Sequence, residues 1–117
     1  RELDYKVDTP YYILGEGVGA WDYGPGNAGF ADTSEALRVA FAQNPSMRRF
    51  VASGYYDLAT PYAATEYTFA HMDLAPSLRR NIRFETYEAG HMMYVHPASL
   101  ARLKADVAGF IDQASRR

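Results

Sequence analysis

Two residues of this sequence, Asp57 and His91, combine the types and the positions that acid–base chemistry requires. Asp57 comes after a short apolar run, residues 50–52, which is typical of a buried parallel strand. Gly54 marks the carboxyl end of that strand, and a helix is predicted to follow the aspartate. In α/β folds, chemistry is placed in such loops at the carboxyl ends of strands.

His91 occupies the same position one strand–helix unit later. Residues 82–87 alternate in polarity, as expected for a half-buried strand, and Gly90 directly precedes the histidine. Because neighbouring parallel strands lie about 4.8 Å apart, the two side chains would emerge together at one edge of the sheet. We therefore predict hydrogen-bond reach, roughly 2.6–3.2 Å, between Asp57 and His91. Such a pair is two thirds of a nucleophile–His–Asp system. The plainer alternatives are a turn aspartate bonding its own backbone and a structural loop histidine.

A nucleophile for this pair is missing from the sequence. No G-x-S-x-G motif is present. The serines are predicted to lie in a strand, at helix caps, in turns or on helix surfaces: Ser34, Ser46, Ser53, Ser77, Ser99 and Ser115. In α/β-hydrolases the order along the chain is nucleophile, acid, histidine, so the nucleophile is expected to precede residue 1.

The helices predicted around the pair follow from caps and periodicity. One helix lies between Asp32, predicted as its N-cap, and a stop at Asn44-Pro45. A second covers residues 61–72 with Thr60 as its N-cap, and the last covers residues 97–114. The last helix carries an apolar stripe at helical spacing, formed by Leu100, Leu103, Val107, Phe110, Ile111 and Ala114.

These elements predict an α/β fold with two βα units of a parallel sheet, in the order strand, Asp57 loop, helix, strand, His91 loop, helix. We expect residues 1–31 to be an irregular segment rich in glycine and tyrosine, and residues 32–117 to be the βαβα portion. Residues 15–20 formally match a dinucleotide-binding fingerprint, but the glycines and proline of residues 24–26 would break the helix that the fingerprint needs. Two parallel strands do not make a stable sheet alone, so the chain is predicted to be part of a larger α/β domain.

Composition excludes several classes of function. The chain has 117 residues and a net charge of −2, so charge gives no reason to expect nucleic acid or an anionic membrane as partner. It has no cysteine, and no apolar run reaches the ~20 residues of a membrane span. His91 and His96 with Glu88 are a weak match to a metal site, because three converging ligands are needed. No metal and no cofactor is predicted. Since residue 1 is arginine, we expect that it is not the natural N-terminus.

Several segments together resemble the C-terminal part of bacterial serine carboxypeptidases, which are α/β-hydrolases with a Ser-Asp-His triad. The resemblance covers roughly residues 20–112, and its specific parts are Gly54-x-x-Asp57 and Gly90-His91-Met92. The resemblance also includes Trp21-Asp22-Tyr23-Gly24, Glu35-Ala36-Leu37-Arg38 and Asn44-Pro45, whereas the helices themselves are generic.

The resemblance implies that Asp57 and His91 are the acid and base of the triad and that Met92 helps to line the pocket for the leaving C-terminal residue. It implies a peptide substrate, an upstream part of the enzyme that carries the serine, and a secreted or periplasmic location. Three alternatives stay open. One is another α/β-hydrolase, such as an aminopeptidase or an esterase. The second is a non-catalytic module that forms a homodimer through its open sheet edge; a symmetric dimer with Asp57 and His91 far apart would favour it. The third is a fragment that is only what remains of a longer protein after proteolysis or trimming.

Overall fold

The computed structural model describes residues 32–116, together with Lys6, Asp8 and Asp22. The predicted irregular segment 1–31 and the glycine-rich match at 15–20 therefore fall on residues outside those described. The chain divides into the units Arg1–Asp32 and Thr33–Arg117, and the second unit carries every helix and strand given below.

The described part of the chain is a mixed α/β structure with two βα units. Its elements in order are α1 (Ser34–Gln43), β1 (Arg49–Gly54), α2 (Tyr62–His71), α3 (Pro76–Arg79), β2 (Ile82–Tyr87), a 3₁₀ turn (Met93–Val95) and α4 (Pro97–Ser115). The predicted strand–helix–strand–helix order is confirmed, with the short α3 added between α2 and β2.

The two strands pair in parallel, as the sequence predicts. The register runs from Arg49 opposite Ile82 to Gly54 opposite Tyr87, so the strands end at the same level. Among the described residues the sheet has these two strands only. Because the strands are parallel and in step, the loops that follow them leave the sheet side by side.

One face of the sheet contributes to the core beneath α1, α2 and α3. Phe41, Met72 and Leu74 are buried, and Phe69 and Ile82 pack against them. Alternation places Ile82 and Phe84 on this face of β2, and Phe84 meets the ring of Phe69 edge-on at 5.1 Å. The helices that connect the two strands therefore cover this face of the parallel pair.

The long helix α4 covers the other face. The ring of Phe50 lies 5.4 Å from that of Phe110, and Arg83 forms an ion pair of 3.1 Å with Asp106. The buried hydroxyl of Tyr87 donates to Asp106 over 3.0 Å. Burial, followed by the hydrogen bond and the charge of Asp106, raises the pKa of Tyr87. Polar contacts thus fix α4 to the strand that leads into the His91 loop.

Two predicted helix caps are wrong. The N-cap of α1 is Thr33 rather than Asp32, and Glu35 forms an ion pair with Arg38. The N-cap position of α2 is Pro61, whose carbonyl accepts the first helical hydrogen bonds, so Thr60 lies outside the helix. The Thr60 side chain is hydrogen-bonded to an aspartate instead, which removes it from the helix terminus.

The apolar stripe of α4 is only partly covered. Leu103, Val107 and Phe110 are half-buried, whereas Leu100 and Ile111 are about half exposed.

Candidate functional site

The strand ends hold two loops against each other. Beyond the strands, the amide of Tyr55 donates to the carbonyl of Tyr87 over 2.8 Å, and the amide of Tyr56 donates to that of Ala89 over 3.0 Å. These bonds extend the pairing of β1 and β2 up to the residues just before Asp57 and His91. The position of the acid relative to the histidine is therefore set by backbone hydrogen bonds.

Gly54 permits this close approach. A Cβ atom at residue 54 would lie 2.7 Å from the carbonyl oxygen of Ala89 and would also overlap the carbonyl oxygen of Gly90. Both obstacles are backbone atoms, which cannot rotate away as a side chain can. The absence of a side chain at Gly54 is thus a condition for the His91 loop to lie where it does.

Asp57 is a buried carboxylate that accepts hydrogen bonds at both oxygens. Its Oδ1 accepts from the amides of Ala59 and Thr60, each at 2.9 Å. Its Oδ2 accepts from the hydroxyl of Thr60 at 2.6 Å and from Nδ1 of His91 at 2.8 Å. The hydroxyl of Thr60 is the largest cause that lowers the pKa of Asp57, followed by the Thr60 amide and by His91. The carboxylate is therefore held in its charged form.

His91 faces Asp57 with one nitrogen and solvent with the rest of its ring. The His91 side chain is 65% exposed, whereas that of Asp57 is 4% exposed. Because an ionised carboxylate only accepts hydrogen bonds, Nδ1 carries the hydrogen of the neutral ring. Nε2 is then the proton acceptor, and no hydrogen bond to it is found among the described residues. The predicted distance between Asp57 and His91 is confirmed.

Thr60 is the residue of the site that the sequence analysis missed. Besides donating to Asp57, its Oγ1 lies 3.3 Å from Nδ1 of His91. Thr60 was predicted to be the N-cap of α2, and this structural role gave no reason to assign it to the site. The Asp-x-x-Thr spacing is the signal that was present, since a hydroxyl three residues after a turn aspartate can reach its carboxylate.

The Thr60 hydroxyl is not positioned as a nucleophile for this histidine. It is next to Nδ1, which carries a hydrogen, and its own hydrogen is engaged by Oδ2 of Asp57. A base must accept the proton of the attacking hydroxyl through a free nitrogen, which here is Nε2.

The described serines do not supply a nucleophile either. None of them makes a hydrogen bond to His91 in the part of the chain that the structure describes. Ser99, predicted at a cap, a turn or a helix surface, is instead buried in the first turn of α4. There its hydroxyl lies 2.8 Å from Nδ1 of His96, the residue at the N-cap. This contact joins the N-cap residue to the first turn of α4.

The two loops that carry the pair also carry exposed apolar side chains. Met92, assigned to a pocket by the resemblance, is 52% exposed and directly follows the histidine. Leu58, directly after the aspartate, is 93% exposed. Other large apolar residues exposed in the same two loops are Tyr55, Tyr56, Tyr94 and Val95. The loops of Asp57 and His91 therefore expose apolar surface as well as the polar pair.

The remaining histidine and the metal hypothesis give no second site. His71 ends α2, where Nδ1 contacts the carbonyl of Tyr67 at 2.8 Å and the ring stacks on that of Tyr67 at 3.9 Å. Within residues 32–116 and the three other described positions, no group of three possible metal ligands is found.

No described helix is long and apolar enough to cross a membrane.

Comparisons with protein families, with curated proteins and with solved structures found no match to this chain.

Proposed function

We propose that Asp57 and His91 are the acid and the base of a hydrolase that uses a nucleophile–His–Asp system. The observation that carries this proposal is the 2.8 Å hydrogen bond from Nδ1 of an exposed histidine to Oδ2 of a buried aspartate. Burial on the acid side and exposure on the base side are what the chemistry requires. The acid must stay charged and fixed, and the base must reach a substrate.

The proposed mechanism assigns a separate task to each residue. His91 takes the proton of an attacking hydroxyl at Nε2 while that hydroxyl adds to the scissile carbonyl, and it then gives the proton to the leaving group. Asp57 holds the ring with hydrogen on Nδ1 and stabilises the imidazolium while it carries both protons. Its own hydrogen bonds to Ala59 and Thr60 keep it ionised throughout.

For the substrate we propose peptides that lose their C-terminal residue, as in the serine carboxypeptidases that the sequence resembles. Met92 would then contact the leaving residue, and its exposure beside His91 supports this placement. An aminopeptidase or an esterase would use the same pair. The segments that bind the substrate would distinguish these enzymes, and no motif for them is present in this sequence.

The serine and the oxyanion donors would come from outside this sequence, so we expect these 117 residues to be incomplete as a catalyst. Without these groups the loss of activity is expected to be large, since one oxyanion donor is worth about 3 kcal/mol of transition-state stabilisation. The dimerising-module alternative would be favoured by Asp57 and His91 lying far apart, and their hydrogen bond is the opposite arrangement.

Labelling with a fluorophosphonate, which modifies activated serines, tests the proposal. The protein as its gene encodes it, and residues 1–117 alone, are treated and their intact masses measured. We expect one adduct on the encoded protein, at a serine outside residues 1–117, and none on residues 1–117 alone. His91→Ala and Asp57→Asn should slow the labelling at least ~10³-fold, as loss of triad members does. His71→Ala is the matched control and should label normally.

Two results would contradict the proposal, the first in the location of the nucleophile and the second in the roles of Asp57 and His91. An adduct on one of the serines of residues 1–117 would show that the nucleophile lies within this sequence. Labelling that is absent from the encoded protein, or that is indifferent to His91→Ala, would remove the hydrolase assignment.

A further inference from the structure

The hydroxyl of Thr60 and the imidazole of His91 share one oxygen of Asp57. Oδ2 accepts from Thr60 at 2.6 Å and from His91 at 2.8 Å, and the two donor atoms lie 3.3 Å apart. Oδ1 is occupied by two amides. A carboxylate offers about four lone-pair directions, so all of them are used. With the amides and the hydroxyl in place, the remaining direction of Oδ2 points at Nδ1.

The backbone aims the Thr60 hydroxyl. Thr60 precedes Pro61, and a residue before proline is restricted to extended conformations. Its amide is itself bound to Oδ1 of Asp57, which fixes the main chain next to the carboxylate. Its branched Cβ further limits rotation of the side chain. The hydroxyl is thus held toward Oδ2 by features of the Asp57 turn that do not involve His91.

From this arrangement we propose that Thr60 is a positioning residue of the Asp57–His91 pair, whose hydroxyl fixes the plane of the carboxylate and thereby selects the imidazole tautomer with hydrogen on Nδ1. Without the hydroxyl, Oδ2 keeps a single donor, and the carboxylate, which turns as one plane about its Cβ–Cγ bond, is held only by the amides at Oδ1 and by His91. The geometric part of this inference stands on the structure alone, whereas its effect on reaction rate rests on the proposed function.

Nitrogen-15 NMR of the His91 ring in the encoded protein tests the geometric part, because the shifts of Nδ1 and Nε2 report the tautomer. In the neutral ring, we expect wild type to be mainly the Nδ1–H form, since Oδ2 of Asp57 accepts from Nδ1. Thr60→Val, which keeps the shape and removes the donor, should lower the share of that form. Thr60→Ser should restore it. Thr68→Val is the matched control, since the Thr68 hydroxyl donates to Ala64 within α2.

The rate is tested by fluorophosphonate labelling of the encoded protein. Thr60→Val should slow labelling by about tenfold, which corresponds to ~1.4 kcal/mol, and Thr60→Ser should recover most of the rate. An unchanged tautomer in Thr60→Val would overturn the inference, and so would a failure of Thr60→Ser to restore it.

Asp57→Asn separates the two proposals. If this variant loses the Nδ1–H form while Thr60→Val keeps it, the pair stands and the role of Thr60 fails. If Asp57→Asn leaves the tautomer unchanged, the pair itself is not formed and the proposed function fails with it.

Discussion

Asp57 shows how a small site can keep a buried charge. An isolated carboxylate taken out of water would become protonated, because burial disfavours the charged form. Here two amides, a hydroxyl and an imidazole compensate for the lost water. Three of these four donors belong to the turn that contains Asp57 itself. Most of the site on the acid side is therefore local in sequence, and only His91 is brought in from another element.

Because of these hydrogen bonds, the free energy of unfolding is expected to depend on pH in the acidic range. The pKa of Asp57 in the folded protein lies below its ordinary value of about 3.9. A carboxylate of this kind stabilises the fold above its unfolded pKa, and that contribution is lost as the pH falls toward the folded pKa. We expect the difference in free energy of unfolding between wild type and Asp57→Asn to be largest near pH 7 and to shrink from about pH 5 downward.

Urea unfolding at pH 7, 5 and 3 measures this difference. Asp112→Asn, which changes an exposed residue of α4, is the matched control. A difference for Asp57→Asn that stayed constant from pH 7 to pH 3 would mean that its hydrogen bonds do not favour the charged form.

At the scale of elements, the site depends on how closely two strand ends approach each other. Gly54→Ala would place a methyl group against two backbone carbonyls. Crowding of this kind costs about 1–3 kcal/mol. We expect the variant to be destabilised by this amount and to lose the Nδ1–H form of His91, because the His91 loop must move outward. Urea unfolding and nitrogen-15 NMR measure the two effects.

Gly109→Ala is the matched control for that substitution. Gly109 lies within α4 and a Cβ there meets nothing within 4 Å, so the variant should gain about 0.5–1 kcal/mol from the better helix former. If Gly54→Ala kept full stability and an unchanged His91 signal, the close approach would not be what positions the loop.

The elements that sequence reasoning placed well are those defined by strong patterns. Alternation gave β2 its bounds, and the matching position of an acid and a histidine after successive strands predicted their contact. The errors concern polar side chains with two possible partners. Thr60 was predicted to cap a helix because of Pro61, a role in which its oxygen would accept from helix amides, but its hydroxyl instead donates to the charged carboxylate of Asp57. Which of these two roles is taken depends on distances that a linear pattern does not contain.

At the scale of the whole unit, the cluster of buried apolar residues lies on one side of the sheet. Phe41 is fully buried in the core beneath α1, α2 and α3. Replacing a buried phenylalanine by alanine costs about 3–5 kcal/mol, and domains are stable by only about 5–15 kcal/mol. We expect Phe41→Ala to lower the urea midpoint sharply or to unfold Thr33–Arg117 outright, as measured by far-ultraviolet circular dichroism.

Leu58→Ala is the matched control, since Leu58 is 93% exposed and its truncation should change stability by less than about 0.5 kcal/mol. Equal midpoints for Phe41→Ala and Leu58→Ala would show that this cluster is not the core. The side of the sheet where Arg83 and Tyr87 meet α4 is held more by polar contacts.

The register of the two strands also limits how this sequence can vary in length. Adding or removing one residue within β1 or β2 would displace the following loop by about 3.3 Å and turn the strand's side chains to the opposite face. That displacement is larger than the 2.8 Å between Asp57 and His91. Related sequences that keep the contact between Asp57 and His91 are therefore expected to differ within β1 and β2 by substitutions only. Insertions and deletions are expected in segments that do not set the distance between these two residues.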